Sequence, residues 1–169
     1  AYSPPNTSDG QHPLLLPPLS DPYGRARTRL QVDQINRTFV PAFYRFLQAQ
    51  ETAKQIQFGK EFLDELEKFA GAMDPEGPFF SGKELGFVDI MIAPWAFRIT
   101  NVLKHYRGFE LPPTKGRYEK WADAVFSHPA FVATCSTEDL YIDSYARYAE
   151  NRPGTSQVAD AINSGRGLP

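Results

Sequence analysis

The sequence predicts an all-α protein, a bundle of five to six helices, and three observations carry that prediction. Apolar residues recur at steps of three and four through five separate segments. Between these segments stand proline, glycine, Asp and Ser residues at positions that start or stop helices. No two alternating apolar stretches flank a hairpin turn, and no repeat period is present.

The chain has 169 residues, which suits one domain able to bury roughly 70% of the surface its unfolded chain exposes. Residues 1–20, AYSPPNTSDGQHPLLLPPLS, hold five of the fifteen prolines and read as an extended linker. The chain starts at Ala1-Tyr2 without a methionine, so an N-terminal portion is expected to precede it. Asp21-Pro22 opens the first helix, with Asp as N-cap and Pro at the first helical position. Val32, Ile35, Phe39, Phe43, Phe46 and Leu47 form its apolar stripe, and Pro41 predicts a bend near Val40. A second helix is expected over 53–72, with Ile56, Phe62, Leu63, Leu66, Phe69 and Met73 inward. Residues 74–85 form a loop turning at Gly77-Pro78.

A third helix is expected from 87 to about 105. Gly86 is its N-cap, and Asp89 at the third position can accept from the Gly86 N–H. Leu85 and Ile90 are placed for a hydrophobic staple. Glycine has no side chain with which to cap in return. Pro94 falls inside this helix, where a proline costs about 3 kcal/mol. A local break there would aim Trp95 and Arg98 into a cleft. The fourth helix is expected over 114–126, with Tyr118, Trp121 and Val125 inward, and His128-Pro129 stops it. Ser136 and Asp139 resemble a capping box for the fifth, which carries Leu140, Ile142 and Tyr145 and runs to about 150. The tail, 151–169, has room for one short helix near 157–162. The division is therefore a linker (1–20), a helical domain (21–150) and a tail (151–169).

Composition excludes several functions. Formal net charge is −2 and there is no basic stripe, so nucleic acid is not an expected partner. No run approaches the ~18 apolar residues of a membrane span, and Leu14-Leu15-Leu16 is too short for a signal peptide. Cys135 is the only cysteine, so no internal disulfide forms, and a reducing, cytoplasmic setting is expected. His12, His105 and His128 are dispersed, and no metal is expected. Asp139 and Asp143, four residues apart, read as a solvated face.

The loop with Phe80-Ser81-Gly82, then Leu85-x-x-x-Asp89 opening a buried helix, resembles the C-terminal helical domain of cytosolic glutathione transferases. The continuation Ile92-Ala-Pro-Trp-Ala-Phe-Arg98-Ile is similar to the Pro-Trp-x-x-Arg pattern of omega-class and fungal omega-like members. The likeness runs from Asp21-Pro22 to Tyr148 and is most specific over 79–99. It implies that Trp95, Arg98, Phe39, Phe43, Tyr44, Tyr141 and Tyr145 bind substrate. Leu85, Gly86, Asp89 and Ile90 would form the structural N-capping box and staple. Arg98 could then steer an anionic substrate or stabilise developing negative charge. In that family a thioredoxin-like domain precedes the helical one, binds glutathione as co-substrate and supplies the residue that activates its thiol. Nothing here has that pattern, so no catalytic residue is assigned, and Cys135 reads as a small apolar filler.

The resemblance implies the hydrophobic-substrate-binding half of an omega-like transferase, working in glutathione conjugation or thiol transfer and homodimeric, with the chain alone inactive. Two other readings stay open at this point: a non-catalytic assembly domain of the same fold, and a stand-alone lipophile-binding bundle.

Overall fold

In the computed structural model, which describes residues 15–111 and 116–166, all regular structure is helical. The first rod comprises α1 (Pro22–Gln34), a π-helical turn (Ile35–Phe39) and α2 (Val40–Gln48). The Asp21 carboxylate accepts from Gly24 N–H at 2.8 Å, and Pro22 follows it. Pro41 distorts this rod, but the departure starts earlier than Val40: five residues before the proline widen into π geometry. Thr38 Oγ1 donates to the Gln34 carbonyl at 2.9 Å, occupying an acceptor in the distorted turn.

α3 (Thr52–Gly71) packs back on α2. Phe62, Leu66, Phe69 and Met73 are buried as the periodicity predicts, whereas Ile56 is 57% exposed. Ile56 lies in the first turns of α3, on the stripe but beyond the edge of the core it points along. The following loop closes tightly: Asp74 Oδ1 accepts from the Glu76 and Gly77 amides. A Cβ at Gly77 would stand 2.1 Å from the Gly82 carbonyl, so only glycine fits there.

The second rod is α4 (Phe87–Arg98), a π turn (Ile99–Leu103) and α5 (Lys104–Arg107). Contrary to expectation there is no break at Pro94. The helix runs through it, Pro94 lies on the exposed face, and the irregular turn comes five residues later. The widened turn buries Ile99, Asn101, Val102 and Leu103 together, a cluster that a regular α-helical stripe would not produce.

Four shorter elements complete the fold: α6 (Arg117–Phe126), α7 (Pro129–Val132), α8 (Glu138–Ala149) and α9 (Gln157–Asn163). Tyr118, Trp121 and Val125 of α6 face inward. Thr114, the expected start of that helix, lies outside the described residues. The capping box expected at Ser136 and Asp139 is replaced. Thr137 is the N-cap of α8, without a side-chain cap bond, and the Ser136 N–H donates to the Tyr141 hydroxyl at 3.1 Å. Ser156 caps α9 by accepting from Ala159 N–H, and α9 packs on α2.

Two polar groups, one buried and one half-buried, hold these rods in register. Asp89, fully buried, accepts from Gly86 N–H and Phe80 N–H, both at 2.8 Å, and from Trp121 Nε1 at 2.7 Å. One carboxylate thereby ties the loop, the start of α4 and the middle of α6. Arg107 donates to the Phe46 carbonyl at 3.2 Å, to the Leu47 carbonyl, and to the Ala149 carbonyl at 2.7 Å. It fills acceptors that the ends of α2 and α8 leave open. Gly86 cannot cap with a side chain, but Phe87 N–H finds the Leu15 carbonyl at 2.8 Å. Ile90 is 39% exposed, so a staple from Leu85 covers only part of it.

Candidate functional site

Tyr141, Tyr145 and Tyr148 stand at i, i+4 and i+7 on α8, and this spacing puts all three on one face of the helix. Facing them are Trp95 and Arg98 from α4 and Tyr44 from α2. Tyr44 lies 5.5 Å from Trp95 and 5.3 Å from Tyr148 between ring centroids. Phe43, fully buried, lies beneath, 5.8 Å from Trp95 and 6.2 Å from Tyr145. Trp95, Tyr141, Tyr145, Tyr148 and Arg98 are all half-buried. Together they make an aromatic wall whose outer surface is open.

Arg98 lies across this wall. Its guanidinium carbon is 5.0 Å from the Tyr141 ring centroid, 5.3 Å from Tyr145 and 5.8 Å from Trp95. Cation–π contacts of this kind contribute about 0.5–2 kcal/mol each, depending on desolvation. Nη1 donates to the Pro94 carbonyl at 2.6 Å, which fixes the guanidinium one turn above the proline. The Nε is buried with no hydrogen-bond partner among the described residues. No carboxylate among them forms an ion pair with Arg98. The cation is thus oriented by rings and a carbonyl rather than neutralised by an acid.

Tyr44 and Tyr145 stay neutral at pH 7. Burial pushes the Tyr44 hydroxyl up, as do the neighbouring Tyr145 and Tyr148 phenols, while Arg98 opposes the rise. Tyr145 is also raised by burial, against the pull of Arg98. The wall offers flat apolar surface, phenol hydroxyls and a fixed cation.

Six of the seven residues expected to bind substrate come together here: Trp95, Arg98, Phe43, Tyr44, Tyr141 and Tyr145. Phe39 does not join them. It is 2% exposed and packs on Phe62 at 5.1 Å and Phe69 at 6.4 Å, in the core under α3. Phe39 and Phe43 share a stripe by periodicity, but that stripe crosses from the core centre to the wall within one turn. Tyr148 was missed, although its i+7 spacing from Tyr141 was a legible signal. The two larger clefts found lie elsewhere. One of about 510 Å³ runs between α1, residues 72–75 and the start of α4. The other, of about 280 Å³, lies where α2, α3 and α9 meet. Neither is lined by Trp95 or Arg98. Among the described residues no group of three His, Cys, Asp or Glu side chains is arranged to hold a metal, and no helix is long and apolar enough to cross a membrane.

The helix order, the buried Asp89 opening α4 and the aromatic face of α8 define an all-helical domain with the fold of the glutathione S-transferase C-terminal domain. Residues 49–125 match the sequence model of that domain, described as "Glutathione S-transferase, C-terminal domain". The chain is 39% identical over 156 residues to a probable glutathione S-transferase, parC, of Nicotiana tabacum, covering 92% of this chain and 62% of that protein. It is 26% identical to the chloroplastic glutathione S-transferase DHAR3 of Arabidopsis thaliana, over 73% of this chain and 45% of the relative. Among solved structures it superimposes on glutathione transferase Omega 3C from Trametes versicolor with a TM-score of 0.72 and 33% identity. That match covers 85% of this chain and 61% of the other. The chain spans roughly half the length of the curated relatives it matches.

Proposed function

We propose that this chain is the hydrophobic-substrate-binding half of an omega-like glutathione transferase. The complete protein would conjugate glutathione to electrophiles or exchange its thiol with mixed disulfides, in detoxification and in a cytoplasmic setting, as a homodimer. Glutathione would be held mainly by a preceding domain, residues 1–20 serving as the linker to it, 21–150 as the helical domain and 151–169 as its tail. The observation that carries the reading is the open aromatic wall of Trp95, Tyr44, Tyr141 and Tyr145 around an unneutralised Arg98. The likeness to the Trametes omega enzyme supports the class. Phe43 underlies the wall, and Phe39 is assigned to the core.

Fluorescence tests this directly. The chain has two tryptophans, and Trp121 is fully buried, so quenching by an added ligand reports on Trp95. Titration with N-phenyl-1-naphthylamine is expected to quench and saturate. Trp95→Phe is expected to remove most of the quenching and weaken the dye's own enhancement several-fold, since a buried aromatic contact contributes about 1 kcal/mol. Unchanged dye affinity in Trp95→Phe would assign dye binding to another face.

A further inference from the structure

The segment leading into α1 is held to the helices by its own carbonyls. The Leu15 carbonyl accepts from the N–H of Phe87, the first residue of α4, at 2.8 Å. That amide is one of the four that a helix start leaves open, and Gly86 has no side chain to offer the first turn. The Pro17 carbonyl accepts from Arg25 Nη1 at 2.7 Å, a charge-assisted bond to α1. The Pro18 carbonyl accepts from Asp21 N–H at 3.0 Å, which turns the chain into that helix. Pro17 and Pro18 have fixed φ and no N–H of their own. Holding them still therefore costs little entropy and leaves no donor unpaired. Pro17 is half-buried and lines the cleft of about 510 Å³ beside Asp21, Gly24 and Val88.

We propose that residues 15–21 are a strap docked on the helical domain, coupling whatever precedes Leu15 to the first turn of α4. That helix carries Trp95 and Arg98 into the aromatic wall, so a displacement of the strap reaches the element that builds the candidate site. The coupling runs both ways: freeing the segment at α1 loosens its hold on α4, and the reverse. A flexible linker would transmit nothing. The inference rests on the proposed reading only for the identity of what precedes the strap; the docking is a property of this chain.

A nitroxide attached at Leu19→Cys, in a Cys135→Ala background, reads the motion of the strap. Leu19 is 66% exposed and its carbonyl makes none of the three bonds, so the label leaves the docking intact. The label is expected to give a motionally restricted spectrum. Phe87→Pro removes the donor to Leu15 at a position where a helix favours proline, and is expected to add a sharp, mobile component. Phe87→Ala loses the same ring but keeps the N–H, and is expected to stay restricted. At the other end, Arg25→Met releases the Pro17 carbonyl. Through the strap it is expected to speed hydrogen exchange of the Ile90 amide, which closes the first turn of α4 on the Gly86 carbonyl. The expected acceleration is about fivefold, the scale of one hydrogen bond. A mobile spectrum with all the bonds in place would make the segment a free tether and overturn the proposal. Either of two further results would also overturn it: Phe87→Pro no more mobile than Phe87→Ala, or Ile90 exchange unchanged in Arg25→Met. Should Phe87→Pro fail to fold, Ile90 exchange in Arg25→Met decides alone. None of these outcomes bears on the wall, which dye binding tests separately.

Discussion

Asp89 accepts three hydrogen bonds in a fully buried position, so replacing one of its oxygens with an NH₂ group leaves a donor facing a donor. Asp89→Asn is therefore expected to cost about 2 kcal/mol, read as a lowered urea midpoint at unchanged slope. Its role at the start of α4 is legible in the Leu85-x-x-x-Asp89 spacing. Its bond to Trp121 is not, because nothing local relates two residues on different helices. Tyr118 makes the opposite case. Its hydroxyl is buried with no partner among the described residues, and burial raises its pKa. Tyr118→Phe is expected to stabilise the protein by about 1 kcal/mol.

The same phenols set an alkaline limit. Tyr44, Tyr118 and Tyr145 are all raised, mainly by burial. Above the ordinary phenol value of about 10 the unfolded chain loses these protons while the folded chain keeps them. The folded state then binds more protons, so stability falls as pH rises. It is fully present below about pH 10 and lost progressively above it. Unfolding midpoints between pH 9 and 12 are expected to fall, and to fall less steeply in Tyr118→Phe.

At the scale of elements, the helices with a strong 3.6-residue stripe were readable from sequence: α3 and α6 lie within a few residues of their expected bounds, while the helix expected over 87–105 is regular only to Arg98 before the π turn. The π turns were not readable. Pro41 and Pro94 announced irregularity, but the chain relieves it upstream of one proline and downstream of the other, at Ile35–Phe39 and Ile99–Leu103. A proline marks the lost bond and does not specify where the ladder absorbs it. Most of the wall was legible as aromatic residues at helical spacing, but the sequence could not separate Phe39, which faces the core, from Phe43 one turn later. Arg107 was equally invisible, since its partners are backbone carbonyls more than forty residues away. Arg107→Met removes the donor that serves the ends of both α2 and α8. It is expected to cost about 2–3 kcal/mol and to raise hydrogen exchange in the last turns of both helices before it does so elsewhere. Uniform loss of protection would instead mean that the clamp acts on the whole fold at once.

At the scale of the molecule, the fold gathers an aromatic wall around Arg98, and the chain spans about half of its curated relatives. On the proposed reading, this helical domain would recognise the co-substrate, and the groups that act on glutathione would lie in a preceding domain. The most direct measurement is glutathione turnover by the purified 169-residue chain, assayed side by side for conjugation to 1-chloro-2,4-dinitrobenzene and for exchange with hydroxyethyl disulfide. The account predicts no rate above the uncatalysed background in either assay, from a chain that still binds the naphthylamine probe. Catalysed turnover by this chain alone would contradict it.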